Sequence, residues 1–164
     1  MRISSPSLLA LSAVLMAGST LAQPAPNPAT ASKPAAPPLR AVTTDGAPKA
    51  AGPYSQAIVE GGFLFAAGQV SRDPRTNTVL AGAIEQAVDR VFDNLEAVLK
   101  AEGLGWSDVV KTTVYMTKAD DFILMNAAYA KRMGDGRPAR TTVFVAGLPG
   151  GAPIEMDLIA RVRK

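Results

Sequence analysis

The chain contains no cysteine and no histidine. The first absence excludes disulfides, a thiol nucleophile and thiolate metal sites. The second removes the Ser-His-Asp triad and nearly all zinc-site designs. Any catalysis must then use carboxylates, Arg, Lys, Tyr, hydroxyls or backbone groups. Charge of one sign is scarce too. The net charge is +3, and Lys and Arg are scattered apart from the terminal "RVRK". Without a basic stripe interleaved with aromatics, the pattern gives nucleic-acid binding little support. The most conspicuous apolar run, "LLALSAVLMAG" from Leu8 to Gly18, falls short of the roughly 20 residues that span a bilayer.

That run does match another pattern. A short basic start (Arg2) precedes it and small residues follow in "STLAQ". This is the layout of a secretory signal peptide over residues 1–22, cleaved after Ala22. Residues 23–38, "QPAPNPATASKPAAPP", carry one charge and no aromatic. Such a Pro/Ala-rich segment buries too little surface to fold and reads as a disordered linker. The expectation is a periplasmic or secreted protein, with no membrane attachment after cleavage. One folded domain should occupy residues 39–164.

Within that domain, "LRAVTT" (Leu39 to Thr44) reads as an edge strand. Two apolar runs, Ala57–Glu60 and Phe63–Gly68, flank Gly61-Gly62, which is a hairpin signal. "SRDPRTNTVLAG" (Ser71 to Gly82) is a polar loop. From Ala83 to Glu102, Ile84, Ala87, Val88, Val91, Leu95, Val98 and Leu99 recur at the 3, 4, 7 spacing of one buried helix face. Gly103 stands where a terminating glycine belongs. Trp106 to Lys118 begins as a turn and continues as a strand. Ala119 to Met133 is a second helix, with Asp120 or Asp121 at its N-cap. "RPARTTVFVAGLPGGAPIEMDLIA" (Arg137 to Ala160) supplies two more strands, 140–146 and 154–160. The order β-β-β-α-β-α-β-β suits a two-layer α+β domain: a mixed six-stranded sheet with two helices on one face. Apolar residues on both faces of the strand holding Val143 and Phe144 suggest an oligomer with sheet faces packed together.

The last stretch carries charges where strands usually bury none: Arg140, Glu155 and Asp157. A guanidinium on a strand is a rigid two-pronged clamp for a planar carboxylate. A carboxyl group at Glu155 could shuttle protons between water and a substrate nitrogen. Burial would raise its pKa and a nearby Arg would lower it. Asp157 shares its strand face and is expected to pair with Arg161 or Lys111. In a plain hairpin about Gly150, Arg140 would face Ala160 and Glu155 would face Val145. The two charges would then lie about 15 Å apart, too far for one small molecule to touch both. Either the strands are not neighbours, or the charges meet across a subunit interface.

Taken in order, "GPYSQA" (Gly52 to Ala57), "AAGQV" (Ala66 to Val70), "DVVKTTVYM", "RPARTTV" and "PIEMDLIA" resemble the motifs of the Rid/YjgF family, the reactive intermediate deaminases of RidA type. The resemblance covers the whole domain. It implies a chorismate-mutase-like α+β fold in a homotrimer, with sites in the clefts between subunits. It implies hydrolysis of 2-enamine or 2-imine acids to 2-keto acids and ammonia, with no cofactor and no metal. The family's carboxylate-binding arginine falls on Arg140 and its acidic residue on Glu155. Its other site positions fall on Tyr54, Gly68 and Asn126. Two positions depart: Ala67 stands where the family often has Ser, and Thr142 where it often has Cys. The first removes a hydroxyl from the pocket and the second adds one. Two other roles stay open: binding of small carboxylates without turnover, and chaperone-like interaction. Ribonuclease activity has also been ascribed to the family, but the charge pattern lends it little support.

Overall fold

A computed structural model describes residues 38–163. The expected signal peptide and all but the last residue of the expected linker lie outside the described residues. Strands β1 (Arg40–Val42), β2 (Ala57–Glu60), β3 (Phe63–Val70), β4 (Val109–Met116), β5 (Ala139–Phe144) and β6 (Ile154–Arg161) accompany helices α1 (Ile84–Lys100) and α2 (Phe122–Met133). The strands form one mixed sheet in the order β1-β2-β3-β6-β4-β5. Every pairing is antiparallel except β4 with β5, which run parallel. A parallel pair needs a crossover, and α2 supplies it.

Local chemistry explains the elements. Gly61 and Gly62 both have positive φ, 59° and 83°, which is what a two-residue hairpin turn requires. All seven apolar positions expected on α1 are buried. The helix ends as the Leu104 N–H donates to Leu99 O and the Gly103 N–H to Lys100 O, both at 3.0 Å. Gly103 takes φ 66° there, the left-handed turn of a Schellman stop. Asp121 does occupy the N-cap of α2, but its side chain makes no capping hydrogen bond.

Both helices cover one face of the sheet. Leu64, Val114, Met116, Met156 and Leu158 point into that layer with Phe92, Leu95 and Met125. The strand period of two puts the alternate residues on the other face. There Phe63 and Phe65 are 39% and 44% exposed, and Val143 is 37% exposed. Glu155, Asp157 and Ile159 belong to this open face, alternating with buried Ile154, Met156 and Leu158 on β6.

Candidate active site

The register separates the two charges that the sequence singles out. Strand β4 lies between β5 and β6, so the strands are not hairpin neighbours. Arg140 pairs with Thr112 and Glu155 with Tyr115. Thr112 is buried under the helices, and Tyr115 lies on the open face. Paired residues point to one side of a sheet, so Arg140 and Glu155 project from opposite faces. Each lines its own cavity, and the two cavities share no residue.

The first cavity, 360 Å³, lies between α2 and the start of β5. Pro138 precedes the strand and cannot donate a ladder hydrogen bond, which suits its place at the sheet edge. Arg140 then lies beside α2. Its Nη2 donates to Asn126 Oδ1 at 2.6 Å. Its guanidinium stacks 4.6 Å from the centre of the Tyr129 ring, a cation–π contact. Tyr129 is buried and its hydroxyl lies 3.0 Å from Thr112 Oγ1. Burial pushes the Tyr129 phenol up, against the pull of the Thr112 hydrogen bond and of Arg140. A neutral ring therefore supports the guanidinium. Arg137 also lines this cavity, but its Nη1 is bonded to the carbonyls of Gly134 and Gly136, both at 2.7 Å. Thr142 shares the face of Arg140, two residues on, and lines neither cavity.

The second cavity, 340 Å³, holds Glu155 together with Tyr54, Ala67 and Gly68. Strand β3 bulges between Ala66 and Gln69, which frees Gly68 from the ladder. The Glu155 carboxylate lies directly over it: a Cβ on Gly68 would meet Oε1 at 2.0 Å. Only glycine leaves that space. Burial raises the Glu155 pKa, and the neighbouring Asp157 carboxylate raises it further. Burial therefore prevails, and among the described residues no arginine of the same chain counters it. Such a carboxyl keeps its proton to higher pH than an ordinary glutamate, which suits a group that must both give and take one. Asp157 is not ion-paired with Lys111 or Arg161. It accepts a hydrogen bond from the Tyr115 hydroxyl at 3.1 Å, while the Lys111 ammonium donates to Thr141 Oγ1 at 2.8 Å. Tyr54 is 53% exposed, and its hydroxyl accepts from the Ala51 N–H at 3.1 Å. It forms a wall of the cavity held by its own turn.

Three residues important to this geometry lie outside the expected site residues. Gln56 is buried, and its Nε2 donates to the carbonyls of Thr44, Ala47 and Pro48 at 2.9–3.2 Å. It gathers the loop that brings Pro48 and Lys49 to the Glu155 cavity. Asn94, fully buried on α1, donates to the carbonyls of Val70 and Arg72 at 3.2 and 2.9 Å. Arg72 itself lines the cavity. A polar residue on an apolar helix face, as at Asn94, is the one signal that could have been read. Among the described residues no cluster of three or more acidic side chains could hold a metal ion.

The whole domain matches a known pattern. The family model described as "Endoribonuclease L-PSP" matches residues 44–162. The chain belongs to the Rid/YjgF family. A RutC family protein of Pyrococcus horikoshii is 44% identical over 119 residues, 73% of this chain and 94% of that protein. The chloroplastic Reactive Intermediate Deaminase A of Arabidopsis thaliana is 40% identical over 119 residues, 73% of this chain and 64% of that one. The crystal structure of RidA from an Antarctic Psychrobacter has a TM-score of 0.72 at 35% identity, covering 75% of this chain and 99% of the other. The two-layer fold with its six-stranded mixed sheet is thus that of Rid proteins, and imine deamination is supported at the level of the family.

Proposed function

We propose that the protein hydrolyses reactive 2-imine and 2-enamine acids to 2-keto acids and ammonia, at sites shared between subunits. The observation that carries this reading is the placement of Arg140 and Glu155 on opposite faces of one sheet. A single chain offers a carboxylate clamp in one cavity and a proton-transfer carboxyl in another. A neighbouring subunit that sets its Arg140 against this chain's Glu155 completes the set. The exposed Phe63, Phe65 and Val143 on the open face supply an apolar surface for such an assembly, and a cyclic homotrimer closes it without leaving an unpaired patch.

The chemistry then balances with water alone. Arg140, braced by Asn126 and Tyr129, holds the carboxylate. Glu155 gives its proton to the imine nitrogen as a water oxygen bonds to C2. The carboxylate takes a proton from that added water and delivers it to the amine nitrogen. The C–N bond breaks, ammonia leaves, and the hydroxyl proton returns to Glu155 as the carbonyl forms. An enamine takes the Glu155 proton at C3 in place of nitrogen and joins the same path as its iminium.

The test is an amino-acid oxidase that releases 2-imino acids, with semicarbazide trapping the imine that survives. The full chain should lower the trapped imine, and Arg140→Ala should not. No acceleration, or equal acceleration by the variant, contradicts the proposal. Ala67 favours a second reading, because it lines the Glu155 cavity without a hydroxyl to hold a water. On that reading the protein binds small carboxylates without turnover, which calorimetry with a keto acid would register in the absence of any imine loss. The leader-like start of the chain makes export to the periplasm or beyond part of the proposal.

A further inference from the structure

The Glu155 cavity contains more positive charge than a monocarboxylic imine uses. Arg72 and Lys49 both line it. Arg72 begins the loop that leaves β3. That loop is closed by the Leu80 N–H to Ser71 O at 2.9 Å, by the Asp73 N–H to Thr78 O at 2.9 Å and by the Ser71 hydroxyl to Leu80 O at 2.7 Å. Asn94 ties its Arg72 carbonyl to α1. The guanidinium is held as well. Its Nη1 donates to Asn77 O at 2.6 Å and to Asn77 Oδ1 at 3.3 Å. Its Nη2 lies where a Cβ on Gly150 would stand 3.0 Å away, so the glycine at φ 68° makes room for the head group.

Arg72 forms no ion pair among the described residues. The adjacent Asp73 is engaged elsewhere, with Arg90 at 3.5 Å, Arg75 at 3.9 Å and the N–H groups of Arg75 and Thr76. Among the described residues Lys49 reaches only Asp45, at 4.0 Å on the open surface. A fixed guanidinium bonded only to neutral oxygens, facing a cavity that also holds Lys49, is suited to an anion. Covering it with an apolar substrate side chain would strip its water without replacement.

Building on the imine-hydrolysis proposal, we infer that Arg72, with Lys49 at the cavity mouth, binds a second carboxylate on the substrate. The preferred substrates are then four- or five-carbon 2-imino dicarboxylic acids. Arg140 of the neighbouring subunit takes the carboxylate beside the imine, and Arg72 takes the one at the far end. Hydrolysis consumes one water and releases one ammonia and a 2-keto dicarboxylate. No bond to Arg72 forms or breaks.

The test compares imines released by oxidases from glutamate and from leucine, using the full-length protein, Arg72→Met and Arg72→Lys. Calorimetric titration with 2-oxoglutarate and 2-oxobutyrate runs alongside. The wild type should favour the glutamate imine. Arg72→Met should lower the ratio of kcat/KM values at least tenfold and weaken 2-oxoglutarate relative to 2-oxobutyrate by a similar factor. Arg72→Lys keeps the charge and should retain most of the preference, which separates charge recognition from loss of the Asn77 hydrogen bonds. An unchanged ratio in Arg72→Met, or a parallel fall for both imines, overturns the assignment. If the wild type accelerates neither imine but 2-oxoglutarate binding still depends on Arg72, the deaminase proposal fails and the dicarboxylate site stands. Loss of both overturns both.

Discussion

Gly68→Ala puts the proposed role of Glu155 to a geometric test without touching the carboxylate itself. The added methyl would lie 2.0 Å from Glu155 Oε1, 2.8 Å from Cδ and 3.1 Å from Cγ. Real Cβ contacts begin near 3.0 Å, so the carboxyl must retreat by about 1 Å. A misplacement of about 1 Å costs on the order of 100-fold in rate for a group that must meet a reacting atom, or about 2.7 kcal/mol in the barrier. The backbone should tolerate the change, since Gly68 is not among the positive-φ glycines. What yields is the far end of a Glu side chain, at about 0.5–1.5 kcal/mol for an off-rotamer χ. The expected result is a large fall in kcat/KM for imine loss with the melting temperature shifted by only a few degrees. A double-mutant cycle refines it. If the methyl acts only through Glu155, adding Glu155→Gln to Gly68→Ala should cost little more. A folded Gly68→Ala protein with wild-type activity would refute the assignment of proton transfer to Glu155.

Two further outcomes follow from the same geometry. Asn126→Ala removes the 2.6 Å hydrogen bond that orients Arg140 and should raise KM about tenfold, the lower end of a charge-assisted bond, with kcat less affected; steady-state kinetics would show the split. Glu155→Gln should stabilise the protein at neutral pH. Burial, then Asp157, hold the Glu155 pKa above its ordinary 4.5 in the folded chain. Its contribution to stability is therefore fully present below the ordinary value and is lost as pH rises through the folded value. Thermal melts of variant and wild type should converge near pH 4 and separate, the variant higher, toward neutrality. A wild type that melts above the variant at neutral pH would contradict this.

Local pattern made much of the fold legible. The 3, 4, 7 spacing from Ile84 to Leu99 marks the face of α1 that the structure buries, because that helix packs on the sheet along one stripe. Gly61-Gly62 marks a hairpin because both positions need positive φ. What local pattern could not carry is the insertion of β4 between β5 and β6. That arrangement depends on a crossover through α2 and on pairings forty or more residues apart in the chain, such as Tyr115 with Glu155. The wide separation of Arg140 and Glu155 in a plain hairpin is consistent with strands that are not neighbours, as β5 and β6 prove to be. The expected ion pair of Asp157 failed for a similar reason. Lys111 shares the open face, but across the β4–β5 pair it reaches Thr141, while the Tyr115 hydroxyl stands nearer Asp157. Gln56 and Arg72 are silent because their work is to bind loop carbonyls, and a loop's path cannot be read from its residue types. The motif resemblance named Arg140 and Glu155 together, and only the sheet register reveals that they occupy opposite faces.

The central claim is that one active site needs two chains, and subunit mixing tests it directly. Arg140→Ala and Glu155→Gln should each be inactive in the imine assay. Unfolded together in equal amounts and refolded, they should form mixed assemblies in which about a quarter of the interfaces join an intact Arg140 to an intact Glu155, as expected for random assortment in a cyclic oligomer. Activity should return to about that fraction of wild type. Mixed assemblies that form, as shown by a tagged subunit carrying an untagged one, yet remain inactive would contradict the account.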